Sequence, residues 1–142
     1  MKKALPLALA LAVIPVGIDA QVEPPISIVR QEIDLLPART DRGADHPYRV
    51  ARLKLTIRNN TSQAISAWRA QIHFTDPFGD FMFQTQFTAG MADISPNGTS
   101  EEQLDFAEAA FDIVGMKTPY EYLAQFTASI IGIRLEDIQV AN

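Results

Sequence analysis

The stretch from Arg49 to Thr75 decides the fold, and it reads RVARLKLTIRNNTSQAISAWRAQIHFT. Apolar and polar residues alternate in each half of it, which predicts strands with one buried face and one solvent-exposed face. The apolar positions are Ala51, Leu53, Leu55 and Ile57 in the first half, and Trp68, Ala70, Ile72 and Phe74 in the second. The link Asn59-Asn60-Thr61-Ser62 is rich in turn formers, so the two strands are predicted to pair as a hairpin.

A turn is predicted directly after the second strand, within HFTDPFGD from His73 to Asp80. Asp76 suits the first turn position, Pro77 presets φ at the second, and Gly79 takes the last. The chain then alternates again and predicts a third strand. Its buried face would carry Phe81, Phe83 and Phe87, and its outer face Met82, Gln84 and Gln86.

Three further segments alternate in the same way and predict more strands. They are Ile26 to Leu36, with Val29, Ile33 and Leu35 on one face; Glu101 to Phe106, with Leu104 and Phe106 on one face; and the C-terminal stretch, with Ile131, Ile133 and Leu135. Five to seven short strands separated by turn signals are typical of an all-β sandwich.

A single helical element is predicted near residues 119–125. Thr118 is a suitable N-cap, Pro119 suits the first helical position, and Glu121 completes a capping box. The fold class predicted from the sequence is therefore all-β, a single immunoglobulin-like antiparallel β-sandwich with one short helical turn.

The same residues carry a family resemblance. A strand ends in Asn-Asn, the next ends in Phe74-Thr75-Asp76 before a turn with Gly79, and a later turn contains Pro96-Asn97-Gly98. This arrangement, from Arg49 to Phe106, resembles the FxLYD-type immunoglobulin-like domains of bacterial secreted and envelope proteins, although the tyrosine of that name is missing here. The resemblance implies an extracytoplasmic sandwich fold, and it implies no activity and no catalytic residue.

The N-terminal residues have the pattern of a secretory signal peptide. Lys2 and Lys3 precede the apolar run Ala4 to Gly17, and Ala20 offers a small residue for cleavage. The predicted organisation is a signal peptide at 1–20 and one domain at 21–142, located in the periplasm or secreted. The apolar run is shorter than the roughly 20 residues that span a bilayer, which favours cleavage and no stable membrane insertion over an uncleaved anchor.

Composition and motifs favour a protein without catalytic, cofactor or metal residues. The net charge of −5 argues against nucleic acid as a partner. The chain has no cysteine and only two histidines, His46 and His73, which is too few for a typical zinc site. Asp76 and Asp80 are predicted to serve turn geometry rather than calcium. The acidic residues Glu101, Glu102 and Asp105 are predicted to lie on a solvated strand face, which is favoured over a glycosidase carboxylate pair.

Aromatic residues provide the remaining candidate. Trp68 is predicted to lie in the core rather than to serve as a ligand platform. Phe78, at the tip of the turn, and Met82 form a possible partner contact, because an exposed apolar patch marks interaction sites. The alternative is that Phe78 folds back onto the sandwich edge.

The predicted function is a non-enzymatic exported module that binds a protein or has a structural role in the envelope. The alternative is a small-ligand or metal-binding periplasmic protein, with a pocket lined by His73, Asp76 and Asp80.

Overall fold

The alternating stretch forms the central strand of each of two sheets. A computed structural model describes residues 22–40, 47–90, 93–108, 117–126 and 130–142, which form six strands and one helix. The elements are β1 (Ile26–Arg39), β2 (Tyr48–Asn59), β3 (Ala67–Thr75), β4 (Phe81–Ala89), β5 (Thr99–Ala107), α1 (Pro119–Gln125) and β6 (Gly132–Ala141). The predicted signal peptide and His46 lie outside the described residues.

Two three-stranded antiparallel sheets pack face to face. Their strand orders are β1-β2-β5 and β4-β3-β6. Immunoglobulin-type sandwiches place strands A, B and E in one sheet, and C and F in the other, with C′ beside C. The six strands fit this assignment in chain order, so the predicted antiparallel β-sandwich is confirmed.

The predicted hairpin between β2 and β3 is wrong, because these strands belong to different sheets. The link between them crosses from one sheet to the other, and the fully buried Asn59 holds it in place. The Asn59 amide donates to the carbonyl oxygens of Gln63 at 2.8 Å and Ile94 at 2.9 Å. Its Oδ1 accepts from the Thr61 N–H at 2.8 Å. Asn59 therefore anchors a crossover between sheets, where the sequence suggested a tight turn.

One core fills the space between the sheets. The predicted inward residues of β2 and β3 are all buried, including Trp68 at 3% exposure. Ile131 is buried as predicted, and Ile133 and Leu135 are half-buried against the same core. The alternation of β2 and β3 thus identified the inner faces of both central strands.

A bulge in β1 alters the predicted inner face of that strand. The pairing with β2 shifts between Ile28 and Arg30, which leaves Val29 as the extra residue, 50% exposed. Ile26 and Ile28 face inward before the bulge, and Gln31 and Ile33 after it. The prediction that Val29 shares a face with Ile33 is therefore wrong, because an inserted residue reverses parity.

The helix α1 begins and ends where the sequence predicts. The Thr118 hydroxyl accepts from the Glu121 N–H, and the Glu121 carboxylate accepts from the Thr118 N–H, which completes the capping box. Tyr120 and Leu123 are buried, and the helix lies against β2 and β5. No helix in the described parts of the chain is long and apolar enough to cross a membrane.

Candidate functional site

The sequence HFTDPFGD forms a turn held by its own backbone. Asp76 Oδ1 accepts from the N–H groups of Phe78 at 2.8 Å and Asp80 at 2.9 Å. The Gly79 N–H donates to the Asp76 carbonyl oxygen at 3.0 Å, and Gly79 has a φ of 87°, which favours glycine. Asp76 Oδ1 therefore caps the turn. Within the described ranges, no group of three or more His, Cys, Asp or Glu side chains is placed to hold a metal ion.

Phe78 lies at the tip of this turn and is 90% exposed. The predicted exposure is confirmed, and the alternative in which the ring folds back onto the sandwich edge is wrong. The turn beneath Phe78 is fixed by the two hydrogen bonds to Asp76 Oδ1. A large apolar side chain is thus presented to solvent on an ordered turn.

Met82 and Phe81 occupy the opposite positions from those predicted. In the β3–β4 pairing, Phe74 lies opposite Phe83 but Thr75 lies opposite Phe81, so Met82 is the extra residue of a bulge. Met82 is half-buried and packs against the core. Phe81 moves to the outer face and is 61% exposed. The predicted contact pair Phe78 and Met82 is therefore replaced by Phe78 and Phe81, which we call the aromatic turn surface.

The aromatic turn surface borders a polar group on β3 and β6. The rings of Phe81 and His73 meet edge to face, with centroids 6.0 Å apart. His73 Nε2 lies 3.1 Å from Glu136 Oε2, although the angle does not satisfy a hydrogen bond. Glu136 also pairs with Arg134. The exposed aromatic residues therefore have a charged border, as the rims of protein interfaces do.

The acidic cluster of β5 is divided between the two faces of its sheet. Glu102 lies opposite the buried Leu55 of β2 and therefore faces the interior of the sandwich. Asp105 lies opposite Arg52, on the outer face. The prediction of one solvated acidic face is wrong for Glu102, because this residue shares the inward parity of Leu104 and Phe106.

Several carboxylates on or next to this sheet have basic partners. Arg52 forms two hydrogen bonds with the Asp105 carboxylate, at 2.8 and 2.9 Å, and this pairing lowers the pKa of Asp105. Hydrogen bonds from Arg49 likewise lower the pKa of Glu108. Lys54 pairs with Asp34 at 2.8 Å. The Arg52 and Lys54 pairs join β2 to β5 and to β1 on the outer face, whereas Arg49 and Glu108 continue the inward parity of Ala51 and Phe106.

A cavity of about 300 Å³ lies between the sheets, at the end of the sandwich opposite the aromatic turn surface. Trp68 forms part of its wall, and its ring centroid is 5.1 Å from that of Phe87. Trp68 Nε1 is buried and has no hydrogen-bond partner. The cavity is lined by Ile65, Ser66, Trp68, Phe87, Thr88, Ala89, Gly90, Ile94, Ser100, Glu101 and Glu102. Trp68 is thus a core residue, as predicted, that also borders an open space.

The sequence predicted neither the cavity nor the direction of Glu102. The signal for Glu102 was present, because it lies two residues before Leu104 and four before Phe106, both predicted to face inward. Of the residues of the alternative pocket, Asp76 caps the turn, Asp80 is exposed, and His73 lies beside Glu136.

The comparisons with known proteins leave the family open. No protein-family model and no curated protein matches the sequence. One solved structure, the X-ray structure of Northeast Structural Genomics Consortium target SoR45, is similar over 59% of this chain and 63% of its own, less than two thirds of its length. The identity is 15% and the TM-score 0.39. The class that the described strands define is an all-β sandwich, and the resemblance to FxLYD-type domains stays a prediction.

Proposed function

We propose that this protein is a non-enzymatic, exported β-sandwich module that binds a protein partner through the aromatic turn surface. The observation that carries the proposal is the exposure of Phe78 on a turn fixed by Asp76. Burying a Phe side chain stabilises a complex by about 1.5–3 kcal/mol relative to leaving it in water. A fixed turn lowers the ordering cost of binding, because the side chain is already presented.

Location outside the cytoplasm is part of this proposal and rests on residues 1–20. The lysine pair and the apolar run support export, with cleavage after Ala20. We expect the processed chain to begin at Gln21. Mass spectrometry of the protein from the source cell's envelope or medium tests this, and a product that retains Met1 would contradict it.

The test of partner binding uses a photo-reactive amino acid at position 78 in the source cell. We expect one specific cross-linked protein, which is then purified and titrated against the unlabelled module. Phe78→Ser and Phe81→Ser should each weaken that binding by about tenfold, corresponding to about 1.4 kcal/mol.

Two exposed aliphatic residues provide matched controls. Val29 and Leu35, both on β1 of the other sheet, are 50% and 55% exposed. Their replacement by Ser removes a similar apolar group from a different surface and should leave the affinity unchanged. Equal losses for the β1 and turn variants, or no loss for either turn variant, would refute the aromatic turn surface as the binding site.

A further inference from the structure

The strand β4 is an edge strand whose sequence lacks the residues that usually hinder strand pairing. Among the described strands it pairs only with β3, which leaves its other side as a sheet edge. It reads FMFQTQFTA from Phe81 to Ala89 and contains neither a charged residue nor a proline. Proteins place such residues on edge strands because they oppose the addition of a further strand. The β4 edge is therefore chemically suited to pair with another strand.

The other three edge strands of the described sheets, β1, β5 and β6, all contain charged residues. These residues are Arg30, Glu32, Asp34 and Arg39 in β1; Glu101, Glu102 and Asp105 in β5; and Arg134, Glu136 and Asp137 in β6. In addition, β1 contains Pro37, and the pairing of β6 shifts at Asp137, which has a φ of 51°. Charge, proline and bulges each disfavour strand addition, so β4 differs from every other described edge.

The centre of β4 is a palindrome. Residues 83–87 read FQTQF, with Thr85 in the middle. If two copies of β4 pair antiparallel about Thr85, Phe83 lies opposite Phe87 of the other copy and Gln84 lies opposite Gln86. Thr85 then lies opposite the same residue of the other copy. Aromatic pairs and Thr–Thr pairs across strands are stabilising, and a twofold interface requires a surface that is complementary to itself.

The orientation of these side chains is consistent with such pairing. Phe83, Thr85 and Phe87 lie opposite inward-facing residues of β3, so they point to the interior of the sandwich. Gln84 and Gln86 point outward and are exposed. A twofold axis perpendicular to the sheet keeps the inner faces of both copies on the same side. The polar residues of the two copies would therefore meet on one face and the aromatic residues on the other.

The single chain leaves part of this surface uncovered. The Phe83 and Phe87 rings are only half-buried, although both face the core. A second copy would bring its own two rings beside them and bury more apolar area, which favours association. The bulge at Met82 lies just before the palindrome, so β4 pairs regularly with β3 from Phe83 to Ala89.

We propose that two copies of this protein associate through β4, in antiparallel orientation and centred on Thr85. Each copy contributes the three strands β4, β3 and β6, so the dimer contains one continuous sheet of six strands. The two ends of that sheet are the β6 strands, whose charges and bulge oppose further growth, and the assembly therefore stops at two copies. The tip of the β3–β4 turn lies outside this pairing, so dimerisation is independent of binding through Phe78.

An introduced cysteine tests the pairing, because the chain contains none of its own. Residues directly opposite in an antiparallel pair have Cα atoms about 4.5–5.5 Å apart, within the range that a disulfide spans. Thr85→Cys should therefore form an interchain disulfide under mild oxidation. Thr88→Cys is the control, since Thr88 is more exposed but lies three residues from the centre and does not meet its own counterpart. It should remain largely uncross-linked.

Charge substitutions on the exposed face test the register without altering the core. The double variant Gln84→Lys with Gln86→Lys places like charges opposite each other twice, and it should weaken dimerisation by at least about tenfold. The matched variant Gln84→Lys with Gln86→Glu places opposite charges there and should still dimerise. Circular dichroism checks that both fold.

The mass of the unaltered protein, measured by light scattering and sedimentation over a range of concentrations, needs no variant. We expect it to rise from one chain to two, with Phe78→Ser behaving in the same way. A mass of one chain at hundreds of micromolar would overturn the proposal, as would equal cross-linking of Thr85→Cys and Thr88→Cys or equal dimerisation of the two charge variants. If the protein is monomeric and a photo-reactive residue at position 86 captures a different protein in the source cell, β4 instead pairs with a strand of that protein.

Discussion

Asn59 is a single residue that determines how the two sheets are connected. Its amide group forms hydrogen bonds with three backbone carbonyl oxygens, those of Gln63, Ile94 and Ser95. Its Oδ1 accepts from the backbone and the hydroxyl of Thr61. The side chain therefore satisfies both the crossover link and the segment that precedes β5, at a site with no access to water.

Replacing Asn59 is expected to be costly because it leaves several buried polar groups without partners. Asn59→Ala should lower the free energy of unfolding by about 2–4 kcal/mol, since each unsatisfied buried group costs about 1–3 kcal/mol and the site relaxes in part. Urea unfolding followed by circular dichroism measures the loss.

The adjacent asparagine serves as the control. Asn60 is only half-buried, and its amide donates to the Pro24 carbonyl oxygen at 3.0 Å and the Ser27 hydroxyl at 3.1 Å. Asn60→Ala should cost about 0.5–1.5 kcal/mol, the value of an ordinary hydrogen bond. Equal losses for the two variants would show that Asn59 has no special role in the crossover.

At the scale of the element, the sequence predicts where strands run better than which face each residue occupies. Polar residues alternate with apolar ones from Ala51 to Ile57 in β2 and from Trp68 to Phe74 in β3, so the sequence alone identifies the inner faces of these strands. The bulges at Val29 and Met82 lie where consecutive residues are all apolar, at Ile28-Val29 and at Phe81-Met82-Phe83. With no polar residue to mark the outer side, parity alone does not reveal an inserted residue.

The same limit explains why the sequence predicts only part of the aromatic turn surface and does not predict the cavity. The position of Phe78 could be predicted because the Asp-Pro-x-Gly pattern places it at a turn tip, whatever the register of the flanking strands. Phe81 could not, since its position depends on the bulge at Met82. The cavity depends on how the edges of two sheets meet, and a strand pattern contains no information about that distance.

The turn between β3 and β4 provides a prediction at this scale. Asp76→Asn should change the free energy of unfolding by less than about 0.5 kcal/mol, because the amide oxygen still accepts the Phe78 and Asp80 N–H groups. Asp76→Leu should cost about 0.5–2 kcal/mol, as the loss of a capping acceptor does elsewhere. Thermal unfolding of both variants beside the unaltered protein measures the difference.

The effect of calcium on thermal stability distinguishes the structural role of Asp76 from a role as a metal ligand. The thermal midpoint of the unaltered protein should be the same in EDTA and in calcium. A midpoint raised by several degrees in calcium, and unmoved in Asp76→Asn, would instead make HFTDPFGD a cation site.

At the scale of the whole molecule, a group of aromatic rings joins the sheets and the helix. Phe74 of β3 stacks on Phe83 of β4 with centroids 4.2 Å apart, and Phe106 of β5 meets both rings edge to face across the sandwich. Tyr122 of α1 stacks on Phe83 at 5.9 Å. The sequence predicted inward positions for Phe74 and Phe106 but not their contact, which arises from the pairing of strands distant in the chain.

Removing the Phe74 ring should therefore destabilise the packing between the two sheets as well as the strand β3 itself. Phe74 is fully buried, and Phe74→Ala is expected to lower the free energy of unfolding by about 3–5 kcal/mol through lost transfer energy and a residual cavity. Phe78→Ala removes the same group from a site that is almost fully exposed, four residues further along, and should change stability by less than about 0.5 kcal/mol. Urea unfolding of the two variants in parallel makes the comparison, with equal m-values showing that each still unfolds in one step. A loss below about 1 kcal/mol for Phe74→Ala would mean that this ring does not join the sheets.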